Sequence, residues 1–328
     1  MRATWVLVVG VAVGPGQSLA QHVVSARAGT VHQVEGRAFL NDQPLRIEPG
    51  HFPQMEEGAS LRTELGRVEL LLTPGSIARL GEFSTLRLLS SDLADTRVEL
   101  LEGTVTLEVM ELLKHNSVTL QWKHSRISIE KPGLYELLAD PPRLRVYKGA
   151  ARLLANDQQL EIKGGRSVDL GATQLAVAKF DAKKDTDSLY RWSVRRSRYL
   201  AMANLSAAKS LYDRGLSWER SGWYWNPWFG LWTFIPARGV LYSPFGYSFW
   251  SPYRVVNVYV PARPQPSWDA GGGGWGRYSA DRGYVVVTGR SAASSTATVP
   301  AGPAASAPSA SPRSAGTSSP RVGGGRGR

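Results

Sequence analysis

The sequence predicts an all-β fold, either a β-sandwich or a short β-solenoid, followed by one helix, short aromatic hairpins and a disordered C-terminal tail. Two observations predict the β domain: apolar residues alternate with polar ones in many short runs, and turn-forming residues separate the runs. A third observation is an aromatic segment at residues 218–253, with fourteen Phe, Trp and Tyr residues but only three charged ones. Such a segment must either fold into a packed unit or lie against a partner, because large exposed aromatic patches usually mark interfaces.

Alternation with a period of two residues extends over residues 27–172, the predicted β domain. The apolar sets include Val98/Leu100, Val105/Leu107/Val109, Val118/Leu120/Trp122 and Ile127/Ile129. In a strand, this spacing places the apolar side chains on one face and the polar side chains on the other. Turn signals between the runs include Pro74-Gly75, Pro132-Gly133, Asn156-Asp157 and Gly164-Gly165. Many short strands with frequent turns are typical of a sandwich or a solenoid.

A short phrase, G-x-[AV]-x-L, recurs at residues 36–40, 103–107 and 149–153. A glycine that enters a strand allows a bend or a close approach of two backbones, and the apolar pair that follows points to the core. The spacings of 67 and 46 residues are unequal, so the phrase indicates a recurring structural unit rather than a strict solenoid period. Chance similarity is the alternative, because few residue types favour strands.

Residues 1–20 have the layout of a secretory signal peptide. Arg2 is basic, residues 4–13 are apolar, and Ser18-Leu19-Ala20 forms a small-x-small cleavage site. The apolar run is about half of the roughly 20 residues that a membrane-spanning helix needs, so we expect cleavage and no transmembrane segment afterwards. The chain has no cysteine, hence no disulfide and no thiol for a lipid anchor. The sequence therefore predicts an exported protein, in the periplasm or on the cell surface.

The formal net charge of +12 is unevenly distributed. One excess lies at residues 179–198, with seven basic and three acidic side chains. The other lies in a C-terminal stretch without acidic residues, at Arg290, Arg313, Arg321, Arg326 and Arg328. Basic patches favour polyanions. For an exported protein, this predicts an anionic polysaccharide or an envelope protein as the partner and disfavours nucleic acid.

Residues 27–172 contain, in this order, the segments GTVHQVEGRAFLN, EEGASLRTELGRVELLLTPGSIARLGEFSTLRLL, LLEGTVTLEV, SRISIEKPGLYELL, LRVYKGAARLL and KGGRSVDLG. The order of these segments, with their glycines and spaced apolar residues, resembles that of the FecR domain. The matching positions are Gly58, Leu61, Thr63, Gly75-Ser76 and Gly103. The resemblance implies a β fold and a location in the cell envelope. The Arg-rich and aromatic segments that follow are similar to the C-terminal part of exported FecR-domain proteins.

One helix is predicted at residues 185–215, where the alternation stops. Its apolar stripe would consist of Leu189, Trp192, Tyr199, Met202, Ala203 and Leu211. Asp185 or Asp187 can cap its start, and Gly215 is a natural stop. We expect Arg191, Arg195, Arg196 and Arg198 to form a solvated cationic face, and anion binding is the alternative.

The aromatic segment belongs to a predicted hairpin module at residues 217–262, and the low-complexity tail follows at residues 263–328. Turns are predicted at residues 227–230 and 244–246, where Pro and Gly occur together. We expect most rings to pack on one another or on the β domain. The rings expected to stay exposed, and to contact a partner or a glycan, are Trp228, Trp232 and Trp250.

No catalytic, cofactor or metal site is predicted. The five histidines lack metal-ligand spacing, and the sequence contains no G-x-S-x-G elbow and no P-loop. The GGGGWG run at residues 271–276 neither follows a strand nor opens a helix, so it does not predict a dinucleotide site.

Three functions remain as hypotheses. The first is a non-catalytic envelope scaffold or protein-interaction module, and the second is a module that binds polysaccharide or peptidoglycan. The third is a FecR-like signalling regulator of sigma-factor-dependent transcription. Well-known FecR proteins are membrane-anchored regulators of iron uptake with a cytoplasmic domain that handles a sigma factor. We expect neither that domain nor a spanning helix in this chain, so the resemblance gives the third hypothesis little support.

Overall fold

The computed structural model describes residues 28–48 and 50–259. The predicted signal peptide and the predicted tail at residues 263–328 lie outside the described residues. Within them, the prediction of an all-β domain followed by a helix and aromatic hairpins is confirmed. No helix in the described ranges combines the length and the hydropathy that a membrane span requires.

The first fifteen strands belong to one sheet. Their bounds are β1 Thr30–Leu40, β2 Gln43–Pro44, β3 Ser60–Leu71, β4 Ser76–Leu80, β5 Thr85–Ser90, β6 Thr96–Glu102, β7 Thr104–Val109, β8 Val118–Trp122, β9 Ser125–Ile129, β10 Gly133–Ala139, β11 Pro142–Lys148, β12 Ala150–Ala155, β13 Gln158–Lys163, β14 Arg166–Asp169 and β15 Val177–Lys179. A 3-10 turn, Leu93–Asp95, precedes β6.

The strand order is β13-β12-β9-β8-β6-β5-β3-β4-β7-β10-β11-β14-β15, and β1 pairs with both β2 and β3. The ladder between β6 and β8 is parallel, whereas the other described ladders of this sheet are antiparallel. One face of the sheet surrounds a single apolar core. Members of this core include Leu61, Val98, Leu107, Tyr135 and Ile162. Burial of this alternating set is the main source of the β domain's stability.

The glycines of the recurring phrase, Gly36, Gly103 and Gly149, all have positive φ angles, of 74°, 75° and 93°. A Cβ atom at Gly36 would overlap the carbonyl oxygen of Leu65, and one at Gly149 would overlap the carbonyl oxygen of Pro132. Only glycine enters the left-handed region freely and permits such approaches. The expected close approach of backbones at these glycines is confirmed.

Helix α1, Ser188–Asp213, lies within the predicted range. The carboxylate of Asp187 accepts a hydrogen bond of 2.7 Å from the backbone N–H of Tyr190, so this residue is the N-cap. At the other end, Gly215 has a φ of +63°, as expected for a residue that stops a helix. The helix packs on strands β4 and β7 and on the aromatic module.

The predicted apolar stripe of α1 was partly wrong. Tyr199 and Met202 are 52% and 41% exposed. The buried polar positions of the helix, by contrast, are Ser193, Arg196, Ser197 and Asn204. The reason is that α1 covers a face of the sheet that itself carries charged side chains, so polar helix residues are buried there. Arg196 is consequently not part of a solvated cationic face, although Arg191, Arg195 and Arg198 are exposed.

The aromatic segment forms two hairpins, as predicted. Strands β16 Gly222–Asn226 and β17 Leu231–Ile235 form the first, and β18 Val240–Tyr242 and β19 Ser248–Trp250 form the second. A second helix, α2 Pro252–Tyr259, follows them. This helix was not predicted, because the aromatic and proline-rich pattern of residues 217–262 indicates hairpins.

The hairpins pack on the β domain and on α1. One apolar cluster joins Leu71 and Ile77 of the sheet to Phe234 and Phe249 of the hairpins. A second cluster joins α1 to Trp218 and to the first hairpin. Ten of the fourteen rings of the segment are buried or half-buried, which confirms the expectation that most rings pack on one another or on the β domain.

Candidate interaction surface

A buried ionic network lies where α1 covers the sheet. Its members are His32, Glu69, Arg79, Glu108 and Arg196. The Nε of Arg79 is 2.8 Å from Glu69 Oε2, its Nη1 is 2.6 Å from Glu108 Oε2, and Nη2 of Arg196 is 2.8 Å from Glu69 Oε1. Alternation puts these side chains opposite the main core: Val68 and Leu70 point inward, so Glu69 points toward the helix.

Two carboxylates and two guanidinium groups balance each other in this network. Burial alone would raise the pKa of Glu69, but Arg196 and Arg79 outweigh it and hold that pKa well below its usual value. Burial raises the pKa of Glu108, although Arg79 and the hydroxyl of Ser197, which donates at 2.7 Å, counteract it. Removing one partner from such a set is strongly destabilising, because a charge is left buried without compensation. The network therefore fixes the position of α1 on the sheet.

His32 joins this network to the aromatic module. Its Nδ1 lies 2.8 Å from Glu69 Oε1, and its Nε2 accepts a hydrogen bond of 3.0 Å from the backbone N–H of Trp232. A backbone N–H can only donate, so Nε2 carries no hydrogen and Nδ1 must donate to Glu69. Burial lowers the pKa of His32, which agrees with this neutral tautomer. A single imidazole thus connects β1, β3 and β17.

Aromatic contacts surround this connection. The ring of Phe52 lies 5.7 Å from that of His32, 5.4 Å from Trp225 and 6.4 Å from Trp232, centroid to centroid. The rings of Trp225 and Trp232 are 5.7 Å apart across the first hairpin. Such tilted and edge-on pairs add to the stabilisation from area burial. The strand pair next to the turn of the hairpin is therefore packed against the β domain.

Buried amides of α1 and β16 bind the same hairpins. Asn204 donates to the carbonyl of Phe234 at 2.9 Å and accepts from the backbone N–H of Trp250 at 2.7 Å. The amide of Asn226 donates to the carbonyl of Ala203 at 2.8 Å. These bonds satisfy buried polar groups and fix both hairpins relative to the helix.

The three aromatic residues predicted as contacts differ in their surroundings. Trp228 is 88% exposed in the turn between β16 and β17. Trp232 is half-buried against Trp225 and Phe52, and Trp250 is half-buried with its backbone bound to Asn204. Among the described rings, no ring contact joins these three, so the structure does not bring them together as one platform.

The Trp228 turn, residues 227–230, is held by its own hydrogen bonds. The side-chain oxygen of Asn226 accepts from the backbone N–H of Trp228 at 3.0 Å and from that of Phe229 at 3.3 Å. Phe229 is also exposed. The turn therefore presents two large aromatic side chains from a backbone that is ordered without a partner.

A second buried acidic site lies near the start of α1. Glu136 accepts hydrogen bonds from Arg145 Nη1 at 2.9 Å and from the hydroxyl of Tyr147 at 3.2 Å. Burial raises the pKa of Glu136, and the neighbouring Asp187 raises it further, to about 7. The hydroxyl of Tyr147 also lies 2.7 Å from the carbonyl of Asp185, so this site connects β10 and β11 to the N-terminus of α1.

Neither buried charged site was predicted. Alternation indicates a polar face on the strands but does not indicate what covers that face. A signal was present: Leu71 and Ile77 lie on the same face as Glu69 and Arg79, two residues away along each strand. Apolar residues on both faces of a strand indicate that both faces are covered.

No group of three or more potential ligands among the described residues could hold a metal ion. The charged groups of the ionic network are paired with one another and sealed from solvent, and the exposed aromatic turn carries no acid or base. The two exposed aromatic side chains of the turn give it an apolar surface.

No family model matches the chain, and no curated protein matches its sequence. Two crystal structures from Parabacteroides distasonis ATCC 8503, each described as that of "a putative anti-sigma factor", are similar in part. Their sequence identities are 14% and 13%, and the TM-score is 0.34 for both. The match covers 38% of this chain and 61% of theirs, so this chain spans less than two thirds of either. At these identities and TM-scores, the likeness concerns part of the fold and does not extend to function.

Proposed function

We propose that this chain is a non-catalytic, exported protein-interaction module of the cell envelope, with a FecR-like β domain as its platform and the Trp228 turn as its contact. The observation that carries the proposal is the 88% exposure of Trp228 on a hairpin that is itself packed against the β domain through Trp225 and Trp232. Tryptophan is enriched among the few residues that dominate the binding energy of interfaces. An ordered backbone also reduces the entropy lost on binding.

Support for a non-catalytic role comes from the state of the charged groups. Glu69, Arg79 and Glu108 are fully buried and hydrogen-bonded to one another, so a substrate does not reach them. Catalysis needs an acid, base or nucleophile within hydrogen-bond reach of a substrate. The proposed role therefore uses these groups for architecture alone.

The interaction is tested with the full chain and two variants. Trp228→Ala removes the exposed ring, and Phe83→Asn is the matched control, since Phe83 is an exposed aromatic residue of the β domain with a positive φ that Asn tolerates. Envelope extract from the source bacterium is passed over each immobilised protein. Any protein retained by wild type and control but lost with Trp228→Ala is then purified and its affinity measured directly. We expect Trp228→Ala to weaken it by about tenfold or more, in line with tryptophan hot spots. Equal retention by all three proteins would overturn the proposal.

Export is tested by fractionating cells that produce the full chain with a C-terminal tag. We expect the tagged protein outside the cytoplasm, with Gln21 as its first residue, because the cleavage site ends at Ala20. A cytoplasmic protein that retains residues 1–20 would contradict this part of the proposal.

A further inference from the structure

An open cleft with a volume of about 880 Å³ lies in the aromatic module, away from the buried ionic network. It is formed by the segment before β16, the connection between β17 and β18, and the first turn of α2. The side chains that line it are Trp218, Glu219, Arg220, Arg238, Tyr253 and Arg254. Trp228 does not line the cleft, so the cleft is separate from the proposed contact surface at the Trp228 turn.

Three arginines from separate segments of the aromatic module converge on this cleft. Arg220 precedes β16, Arg238 follows β17, and Arg254 lies in the first turn of α2. All three side chains are exposed, and none has an ion-pair partner among the described residues. The only charged residues of the aromatic segment are Glu219, Arg220 and Arg238, and the fold gathers all of them here. Like charges brought together without partners favour an anionic ligand.

The cleft also has an aromatic wall. The hydroxyl of Tyr253 accepts a hydrogen bond of 3.2 Å from the backbone N–H of Trp218, which fixes the ring at the edge of the cleft. Tyr253 is 55% exposed, so part of its ring is available to a ligand. The indole of Trp218 is itself held by a hydrogen bond of 3.2 Å from its Nε1 to the carbonyl of Ile235. The wall is therefore built before any ligand binds.

We propose that this arginine cleft binds an acidic saccharide. Guanidinium groups form paired hydrogen bonds with carboxylates, and Tyr253 offers a flat apolar surface to a sugar ring. Glu219 accepts hydrogen bonds from sugar hydroxyls. A nucleic acid backbone and an acidic peptide offer no such density of hydroxyls, and an acidic peptide also lacks sugar ring faces. Small ligands occupy pockets of about 300–1,000 Å³, and this cleft is in that range.

The test is isothermal titration calorimetry of the full chain with an oligogalacturonate. Three control ligands are titrated in the same way. The fully methyl-esterified oligomer has the same rings and most of the same hydroxyls but no charge. An oligoglutamate has the charge but no rings, and a short single-stranded DNA represents nucleic acid. We expect heat of binding with the oligogalacturonate and at least about tenfold weaker binding of the other three, because charge-assisted hydrogen bonds and the ring contact are both needed.

Two double variants assign the binding to the cleft. Arg238→Gln/Arg254→Gln removes two cleft arginines, and Arg46→Gln/Arg126→Gln is the control, since these arginines are exposed elsewhere and the change in net charge is the same. The C-terminal arginines are present in every variant, so their attraction for polyanions cancels. We expect the cleft variant to lose about tenfold or more in affinity and the control to change little. Equal losses in both, equal binding of DNA or oligoglutamate, or no binding of the oligogalacturonate would each overturn the proposal.

Discussion

At the scale of single residues, His32 has the most consequential position. It is bound on one side to Glu69 and on the other to the backbone of Trp232, and neighbouring Arg79 and Arg196 oppose a positive charge on it. Protonation of Nε2 would place two hydrogen donors against each other. The connection between the β domain and the hairpin therefore requires the neutral imidazole.

This requirement predicts that stability decreases in acid. The pKa of His32 is lowered from its usual 6.5 in the folded protein, so the unfolded chain binds more protons below that pH. The contribution of His32 is fully present above pH 6.5 and is lost as the pH falls through the folded pKa, at up to about 1.4 kcal/mol per pH unit. The free energy of unfolding is measured by urea titration between pH 5 and pH 8, about the range in which histidine titrates. In the wild type it should increase with pH, and His32→Gln should lose this increase. His124→Gln, at an exposed histidine, should keep it. An unchanged slope in His32→Gln would contradict the assignment.

The raised pKa of Glu136 predicts a dependence of stability on pH that is opposite in sign to that of His32. Its pKa is raised from 4.5 to about 7, so the folded protein holds a proton that the unfolded chain releases. The resulting stabilisation is fully present below pH 4.5 and is lost as the pH rises through about 7. Glu136→Gln, which mimics the protonated form, should show less loss of stability across this range. Glu161→Gln, an exposed strand position, serves as the control. If both variants follow the wild-type pH profile, Glu136 is ionised in the folded protein.

At the scale of elements, the β-strands could be predicted and the buried face of α1 could not. Alternation identifies strands because one face of the sheet surrounds a single apolar core. The ends of α1 were also predictable, since Asp187 and Gly215 act locally. The buried face of α1 depends on Glu69 and Glu108, which are far away in sequence. Arg195 and Arg196 look equivalent in sequence, yet only Arg196 lies above the sheet carboxylates.

The candidate contact residues could likewise be predicted only where local sequence signals determine their surroundings. Turn residues correctly placed Trp228 at a turn, and its exposure follows from that position. The burial of Trp232 depends on Phe52 and His32, and the arginine cleft depends on how α2 folds back; neither arrangement is local. Alternation and turn chemistry report on neighbours along the chain, whereas these contacts join residues distant in sequence.

A contrast between two aromatic residues of one hairpin tests this description of the element. Phe234 is fully buried among rings and sheet residues, so Phe234→Ala should lower the free energy of unfolding by about 3–5 kcal/mol. Trp228→Ala should change it by no more than about 0.5 kcal/mol, because the ring is exposed. Chemical denaturation of both variants measures these changes in the free energy of unfolding. Equal destabilisation would mean that the hairpin packs differently.

At the scale of the whole described chain, the aromatic module is a structural part of the β domain. Leu71 and Ile77 of the sheet share an apolar cluster with Phe234 and Phe249 of the hairpins. The ionic network lies under α1, and His32 extends it to Trp232. Deleting the aromatic segment would therefore uncover both the apolar cluster and buried charges, so point variants are better tests of function than truncation.

The central claim is that the hairpin is docked on the β domain through His32. The most direct measurement is hydrogen exchange of the backbone amide of Trp232 in the full chain at neutral pH. We predict protection comparable to that of amides in the central strands β3 and β4, because the N–H donates to a buried imidazole. The His32→Gln variant should reduce this protection selectively. Exchange of the Trp232 amide at the rate of an unstructured peptide in the wild-type protein would contradict the claim.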